Sequence, residues 1–188
     1  MISPAFPSYL DPADRVLDQL SRYDFKKSPV LFNSLYQALE NHTQRELDSS
    51  VAFETSLFPA NLTVATSEHP FCFAFALGVK LIRLSDFSTP ILVSAYSLGK
   101  HVCLVLSADT NGEKVEQFFK EQASLFEHLA EIAKFETLLE LGKKNVTLTF
   151  TIPIYDASTF QVYTLPQRDL SEVFALAISY VKEQYTQK

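Results

Sequence analysis

Residues 146–154 restrict the fold of this chain more than any other stretch of its sequence. Apolar side chains occupy every second position, and Thr147, Thr149 and Thr151 stand between them. A period of two puts the apolar set on one face of an extended strand and the hydroxyl groups on the other. The pattern therefore predicts a β-strand in a sheet that is covered on one face. A partner strand is predicted at Phe160–Leu165, after a short turn.

A second pair of strands is predicted in the middle of the chain. Ile91–Ser97 and His101–Ser107 are rich in apolar and β-branched residues, and Leu98-Gly99-Lys100 separates them. Two such runs around a glycine-containing turn are typical of a β-hairpin. Phe71–Leu84, which precedes them, is almost wholly apolar and is interpreted as a buried helix.

Four further segments carry helical signals. Asp11-Pro12 and Ser28-Pro29 each place a capping residue before a proline. Thr110 and Glu113 match a capping box, and Gly142 is suited to end the helix that follows. The predicted helices begin at Asp11, extend from Ser28 to about Leu47, extend from Glu113 to about Leu141, and begin at Asp169.

The order of these elements predicts an α+β fold with a single antiparallel sheet covered by helices. All 188 residues are expected to form one domain. Residues 1–10 are interpreted as a loose arm, and residues 11–48 as an N-terminal helical pair that packs on the sheet.

Composition excludes some classes of partner. The net charge of −6 argues against a nucleic-acid binder, which needs clustered lysine and arginine. No apolar run approaches the length of about 18 residues that spans a membrane. The two cysteines form no disulfide framework or zinc motif, and no signal sequence is visible at the start. The expected location is the cytoplasm.

Catalytic signatures are scarce. Glu127, His128 and Glu131 lie close together on the long predicted helix, but a solvated acidic face explains them better than a metal site. His101 and Cys103 share a strand face, yet a strand cysteine is usually a small core residue. No catalytic or metal-binding residue is therefore predicted.

The aromatic inventory is large, with 16 phenylalanines and 8 tyrosines. Phe119 and Phe126 lie beside the apolar stripe of the long predicted helix and are the candidate interface residues. Exposed aromatic patches mark interfaces. This favours a non-catalytic binding or assembly module that acts as a homo-oligomer or with a protein partner. A secretion-chaperone-like protein is a further alternative.

Residues 74–185 resemble the GlcG- and HbpS-like family, often described as haem-degrading domains. The landmarks that carry the resemblance are Ala74–Gly78, Pro90-Ile91, the Leu98–Lys100 turn, the helix from Glu113, and Thr164–Gln167. The resemblance implies a profilin-like α-β-α sandwich that tends to oligomerise, and it transfers no catalytic residue.

The same resemblance implies a second function, the binding of haem or a related tetrapyrrole, by a protein that could be a degenerate enzyme. His69, His101 and His128 are the candidate axial ligands, because histidine is a common haem ligand. Haem is the one cofactor considered, and the residues alone predict none.

Overall fold

The computed structural model describes residues 11–22, 28–55, 62–110, 112–155 and 170–185. A π-helical turn, Thr43–Leu47, continues the second helix. The described helices and strands are, in chain order, α1 (Pro12–Leu20), β1 (Ser28–Leu31), α2 (Phe32–His42), β2 (Ala52–Phe53), β3 (Thr63–Thr66), α3 (Glu68–Ser85), β4 (Ile91–Leu98), β5 (His101–Ala108), α4 (Gly112–Glu121), α5 (Ala123–Ala133), β6 (Glu136–Leu141), β7 (Val146–Pro153) and α6 (Leu170–Tyr185).

The main sheet has five strands in the order β2-β4-β5-β7-β6. Neighbouring strands are antiparallel except β2, which pairs with β4 in parallel. The sheet is therefore mixed. The α+β class is confirmed, but the prediction of a single antiparallel, profilin-like sheet is wrong. The two-residue strand β2 is too short to leave a periodic signal, and β1 and β3 form a separate two-stranded sheet.

The alternating segment forms β7, as predicted, between β5 and β6. Its apolar residues from Val146 to Ile152 are buried, and the threonines between them are only partly buried. The β4–β5 hairpin is also confirmed. Gly99 has a φ of +58° in its turn, a conformation that glycine adopts without strain.

The prediction of one long helix from Glu113 to about Leu141 is wrong. Gln122 separates α4 from α5, and Lys134 ends α5 in the left-handed conformation, with a φ of +59°. The N–H groups of Lys134 and Phe135 both donate to the carbonyl of Ala130, at 2.8 and 3.2 Å. The chain then reverses and pairs with β7 as β6.

Gly142 therefore does not end a helix. It lies in the turn between β6 and β7, where its N–H donates to the Asn145 carbonyl at 2.8 Å. The predicted strand at Phe160–Leu165 and the start of the last helix at Asp169 lie outside the described residues. The helix itself is present as α6.

The N-terminal helical pair is only partly correct. Asp11 caps α1 as predicted, accepting a hydrogen bond from the Ala13 N–H at 3.1 Å. Ser28-Pro29, however, begins strand β1, which pairs with β3. The second helix starts only at Phe32.

Helix α3 lies against the covered face of the sheet. A Cβ atom on Gly78 would lie 2.8 Å from a Leu148 methyl group, so any larger residue there would require the Leu148 side chain to move. Phe71, Phe135 and Phe150 form mutual edge-to-face contacts nearby, with ring centroids 5.4–5.7 Å apart. Helix α6 packs on the outer side of α3, where Tyr180 contacts Phe73. None of the described helices combines the length and the hydropathy of a membrane-spanning segment.

Candidate functional site

Two basic residues, Lys80 and Arg83, stand on the C-terminal half of α3. All residues from Phe71 to Ile82 except Lys80 are buried, whereas the Lys80 and Arg83 side chains are partly exposed. A cation on an otherwise buried helix must reach water, an anion or another partner, because burying an unpaired charge is costly. Their surroundings therefore indicate what this part of α3 can bind.

Arg83 is held by fixed partners. Its Nε donates to the Asp48 carboxylate at 2.6 Å, and its Nη2 donates to the Ser50 hydroxyl at 3.0 Å. Its Nη1 donates to the carbonyl oxygens of Thr89, at 2.6 Å, and Phe87, at 3.2 Å. Arg83 thus joins α3 to the chain before β2 and to the loop before β4.

The Asp48 carboxylate is committed to this contact. Partial burial opposes its ionisation, but hydrogen bonds from Ser50 and the charge of Arg83 lower the pKa of Asp48 overall. The side chains of Asp48 and Arg83 are 16% and 13% exposed, so the pair is largely shielded from solvent. Asp48 therefore remains ionised at neutral pH.

Lys80 differs from Arg83 in having no fixed partner. Its ammonium group makes no hydrogen bond or ion pair with another described residue. Burial lowers the pKa of Lys80, and the charges of Lys182 and Arg83 lower it further, against the attraction of Asp48. We call Lys80, Arg83 and Lys182 the basic cluster. Arg83 is already paired with Asp48, so Lys80 adds a positive charge that forms no ion pair with a described residue.

Helix α6 supplies Lys182 and is held in place by tyrosines. The Tyr180 hydroxyl donates to the Gln122 side chain, and the Gln122 amide donates to the Tyr185 hydroxyl at 3.0 Å. Burial raises the pKa of Tyr180 to about 12, so this hydroxyl keeps its proton at neutral pH. These bonds join α6 to the junction of α4 and α5.

Polar groups at the end of β5 lie beside the basic cluster. The Thr89 hydroxyl donates to the Asp109 carbonyl at 2.9 Å, and the Thr110 hydroxyl contacts the Asp86 carboxylate at 3.5 Å. Hydrogen bonds from Ser88 lower the pKa of Asp86. Hydroxyl and carboxylate groups therefore lie near Arg83 at the end of β5.

The three histidines considered as haem ligands belong to different elements. His69 lies in the first turn of α3, His101 begins β5 and His128 is on α5. His101 and His128 are exposed, and a ring nitrogen of His128 lies 2.8 Å from the Ser124 carbonyl. Their positions suggest no shared ligand site. Among the described residues, no group of histidine, cysteine or acidic side chains could hold a metal ion.

Cys103 lies on β5 across from Tyr96 and Thr151. It is 4% exposed, and its sulfur atom lies 3.9 Å from the Thr151 hydroxyl. The other cysteine, Cys72, is fully buried, and burial raises the pKa of its thiol. The raised pKa makes Cys72 a poor nucleophile.

Phe119 and Phe126, the candidate interface residues, are 9% and 5% exposed. Their rings stack with centroids 5.2 Å apart and line a cavity of about 210 Å³ between α5 and β6. Leu139 of β6 and Leu148 of β7 line the same cavity. The two rings are thus mostly covered by the protein itself, beside a cavity at the sheet edge.

The basic cluster was not identified as a site from the sequence. Lys80 and Arg83 were visible there only as interruptions of an apolar run. Their spacing of three residues puts both on one face of a helix, a signal that could have drawn attention to them. The contribution of Lys182 depends on how α6 packs on α3, which sequence spacing does not reveal.

No protein-family model and no curated protein matches the chain. Solved structures do match. The catalytic domain of the histidine kinase ThkA has a TM-score of 0.52 and 12% sequence identity, over 68% of this chain and 95% of that chain. The histidine kinase domain of the E. coli osmosensor EnvZ has a TM-score of 0.56 and 9% identity, over 77% of this chain and 99% of that chain.

Two further matches contain a bound molecule. Full-length ShkA, in complex with AMPPNP, has a TM-score of 0.50 and 12% identity, over 81% of this chain and 36% of that chain. ThkA in complex with the response regulator TrrA has a TM-score of 0.56 and 11% identity, over 76% of this chain and 47% of that chain. At these identities the likeness establishes the fold, which is that of histidine kinase catalytic domains.

These structures correct the earlier interpretations. The resemblance to the GlcG- and HbpS-like family is wrong, because the chain shares its fold with histidine kinase catalytic domains. The functions drawn from the sequence are wrong for the same reason, namely a non-catalytic binding or assembly module, a haem or tetrapyrrole binder, and a secretion-chaperone-like protein. The landmarks were common features of α+β folds, and their order did not distinguish one family from another.

Proposed function

We propose that this chain is a kinase-type module that binds a nucleoside triphosphate, with the phosphates on the basic cluster. The observation that carries the proposal is the half-buried Lys80 ammonium, which faces two further cations and makes no ion pair of its own among the described residues. The fold shared with histidine kinase catalytic domains supports the same reading. One of those proteins, ShkA, was solved with the nucleotide analogue AMPPNP.

The charge distribution of the chain supports this choice of ligand. The whole chain carries a net charge of −6, so the grouping of Lys80, Arg83 and Lys182 is not a consequence of an excess of basic residues in its composition. A phosphate bound there would face lysine ammonium groups, which bind phosphate as point charges. It would also offset the repulsion from Lys182 and Arg83, which adds to burial in lowering the pKa of Lys80.

The proposal includes a protein partner. ThkA was solved in complex with the response regulator TrrA. Because this chain has the same fold, we expect it to act on, or with, another protein. Because nucleoside triphosphates are intracellular, the proposed function also goes with a cytoplasmic location.

The test is a calorimetric titration of the protein with AMPPNP and Mg²⁺. We expect binding at micromolar to submillimolar nucleotide, weaker at higher salt. Lys80→Met should lower the affinity by about tenfold or more, since a hydrogen bond to a charged group contributes about 1.5–3 kcal/mol.

Lys120→Met is the matched control. Lys120 is 75% exposed on α4 and pairs with Glu116, so its loss removes the same charge away from the basic cluster. Equal weakening by both variants would show only a general effect of charge. That result, or the absence of binding at millimolar AMPPNP, would overturn the proposal.

A further inference from the structure

Strand β6 forms one edge of the main sheet. It pairs with β7 on one side, and no other strand in the described part of the chain pairs with its outer side. Among the described residues, the backbone N–H and C=O groups on that side therefore have no strand partner, and they can pair with an added strand. Leu138 is 56% exposed and Leu141 is 38% exposed, which is unusual for leucines in a sheet.

The two faces of β6 present different chemistry. Glu136, Leu138 and Glu140 lie opposite Thr151, Thr149 and Thr147, on the face away from the helices. Leu139 lies opposite the buried Leu148 and faces the cavity of about 210 Å³ that Phe119 and Phe126 line. Glu127 stands at the rim of that cavity.

From this arrangement we propose that an extended basic segment of a partner protein adds to β6 as a sixth strand of the sheet. Side chains at alternate positions of that segment would lie opposite Glu136, Leu138 and Glu140. The matching sequence has a basic residue, an apolar residue and a basic residue at those positions. The residues between them would face the helix side, where the cavity accepts an aliphatic group.

Charge favours such a partner over a second copy of this chain. Glu127, Glu136 and Glu140 form no ion pair with a described residue. In a twofold pairing centred on Leu138, each Glu136 would lie opposite Glu140 of the other copy. Like charges directly opposite each other destabilise a strand pair.

The proposal does not depend on nucleotide binding, because β6 and the basic cluster lie on different elements. The probe is a fluorescein-labelled nine-residue peptide with blocked ends. It has lysine at positions 3 and 7, leucine at position 5 and valine at positions 4 and 6. Fluorescence anisotropy measures its binding, and amide NMR shifts locate it on the protein.

We expect saturable binding, with the largest shifts at Glu136–Leu141. The double variant Glu136→Gln/Glu140→Gln should weaken binding by about fivefold to tenfold, since cross-strand charge pairs contribute modestly. Glu172→Gln/Glu183→Gln, on α6, is the control of equal charge and should bind as the wild type does. A peptide with proline at positions 4 and 6 should not bind, because it lacks the N–H groups needed for strand pairing.

Three results would overturn the proposal. One is equal binding of a peptide with glutamate in place of both lysines, which would indicate apolar adhesion. Another is the absence of shifts in β6 at saturating peptide. The third is a protein dimer in sedimentation experiments that Leu138→Lys converts to monomer, because β6 would then be occupied by a second copy.

Discussion

Replacing Phe126 with alanine removes one ring of the stacked pair that lies between α4, α5 and the sheet. The ring is 5% exposed, so nearly all of its apolar surface is withdrawn from water. Burial of a phenylalanine side chain contributes about 1.5–3 kcal/mol. Its stacking on Phe119, at a centroid distance of 5.2 Å, adds about 0.5–1.5 kcal/mol.

We therefore expect Phe126→Ala to reduce the free energy of unfolding by about 3 kcal/mol, the low end of the range for phenylalanine-to-alanine changes in cores. The low end applies because the cavity beside the ring already leaves this part of the core less than fully packed. Urea unfolding followed by circular dichroism measures the change. The slope of the free energy of unfolding against urea concentration should equal that of the wild type, because the substitution leaves the compactness of the folded and unfolded states unchanged.

Glu127→Ala is the control, since Glu127 lines the same cavity with an exposed side chain, and it should change stability by less than about 0.5 kcal/mol. A loss below about 1 kcal/mol for Phe126→Ala, together with a shift from oligomer to monomer, would refute the assignment of Phe126 to the core. It would favour the interface role predicted from the sequence.

Three other substitutions test the packing and charges around α3. Asp48→Asn should destabilise the protein by about 3 kcal/mol at pH 7 in urea unfolding, because it leaves Arg83 without its anion. The pKa of Asp48 is lowered in the folded protein, so the stability that Asp48 contributes is present above its unfolded pKa of about 3.9 and is lost as pH falls through the folded pKa. The free energy of unfolding of the variant should therefore fall less steeply at acid pH than that of the wild type. An unchanged decrease at acid pH would contradict this. Gly78→Ala should lower the free energy of unfolding by about 1–2 kcal/mol, because the added methyl group lies 2.8 Å from Leu148. Adding Leu148→Val should recover part of that loss. A gain in thermal stability for Gly78→Ala would show that α3 does not approach the sheet so closely. Lys80→Met should leave the melting temperature unchanged or raise it, because burial and two cations disfavour the charged form of Lys80 at any pH below its lowered pKa. A fall of several degrees would mean that the ammonium group has a stabilising partner.

The elements predicted best are those whose local pattern agrees with their tertiary environment. β7 alternates over its whole length, and the β4–β5 hairpin has glycine where a positive φ is needed. From Phe71 to Val79 α3 is wholly apolar, because the sheet lies on one side of it and α6 on the other. In each case burial and local propensity favour the same structure.

The errors occurred where tertiary contacts overrule local preference. Leu138 and Leu139 continue the apolar spacing of the preceding helix. The helix nevertheless ends at Lys134, which has a positive φ, and the segment that follows pairs with β7 as a strand. Ser28-Pro29 has the form of a helix cap, but its partner is β3. Pairing between distant segments of the chain decides both positions, and helical spacing does not report it.

The candidate site was harder to predict than the fold. Histidine and cysteine are common site residues, but here His69, His101 and His128 lie on different elements, and the two cysteines are buried. The basic cluster consists of ordinary lysines and an arginine, and its meaning depends on the partners each one has. Arg83 is neutralised by Asp48, and Lys80 is not, a difference that only the folded structure reveals.

The central claim is that phosphate groups of a nucleotide bind on α3 and α6. The most direct measurement is the change in backbone amide NMR shifts when AMPPNP and Mg²⁺ are added to the wild-type protein and to Lys80→Met. Phosphate binding at the basic cluster should give shifts concentrated around Lys80, Arg83 and Lys182 in the wild type, and these shifts should be lost in the variant at the same nucleotide concentration. Shifts confined to other surfaces, or unchanged by the substitution, would contradict it.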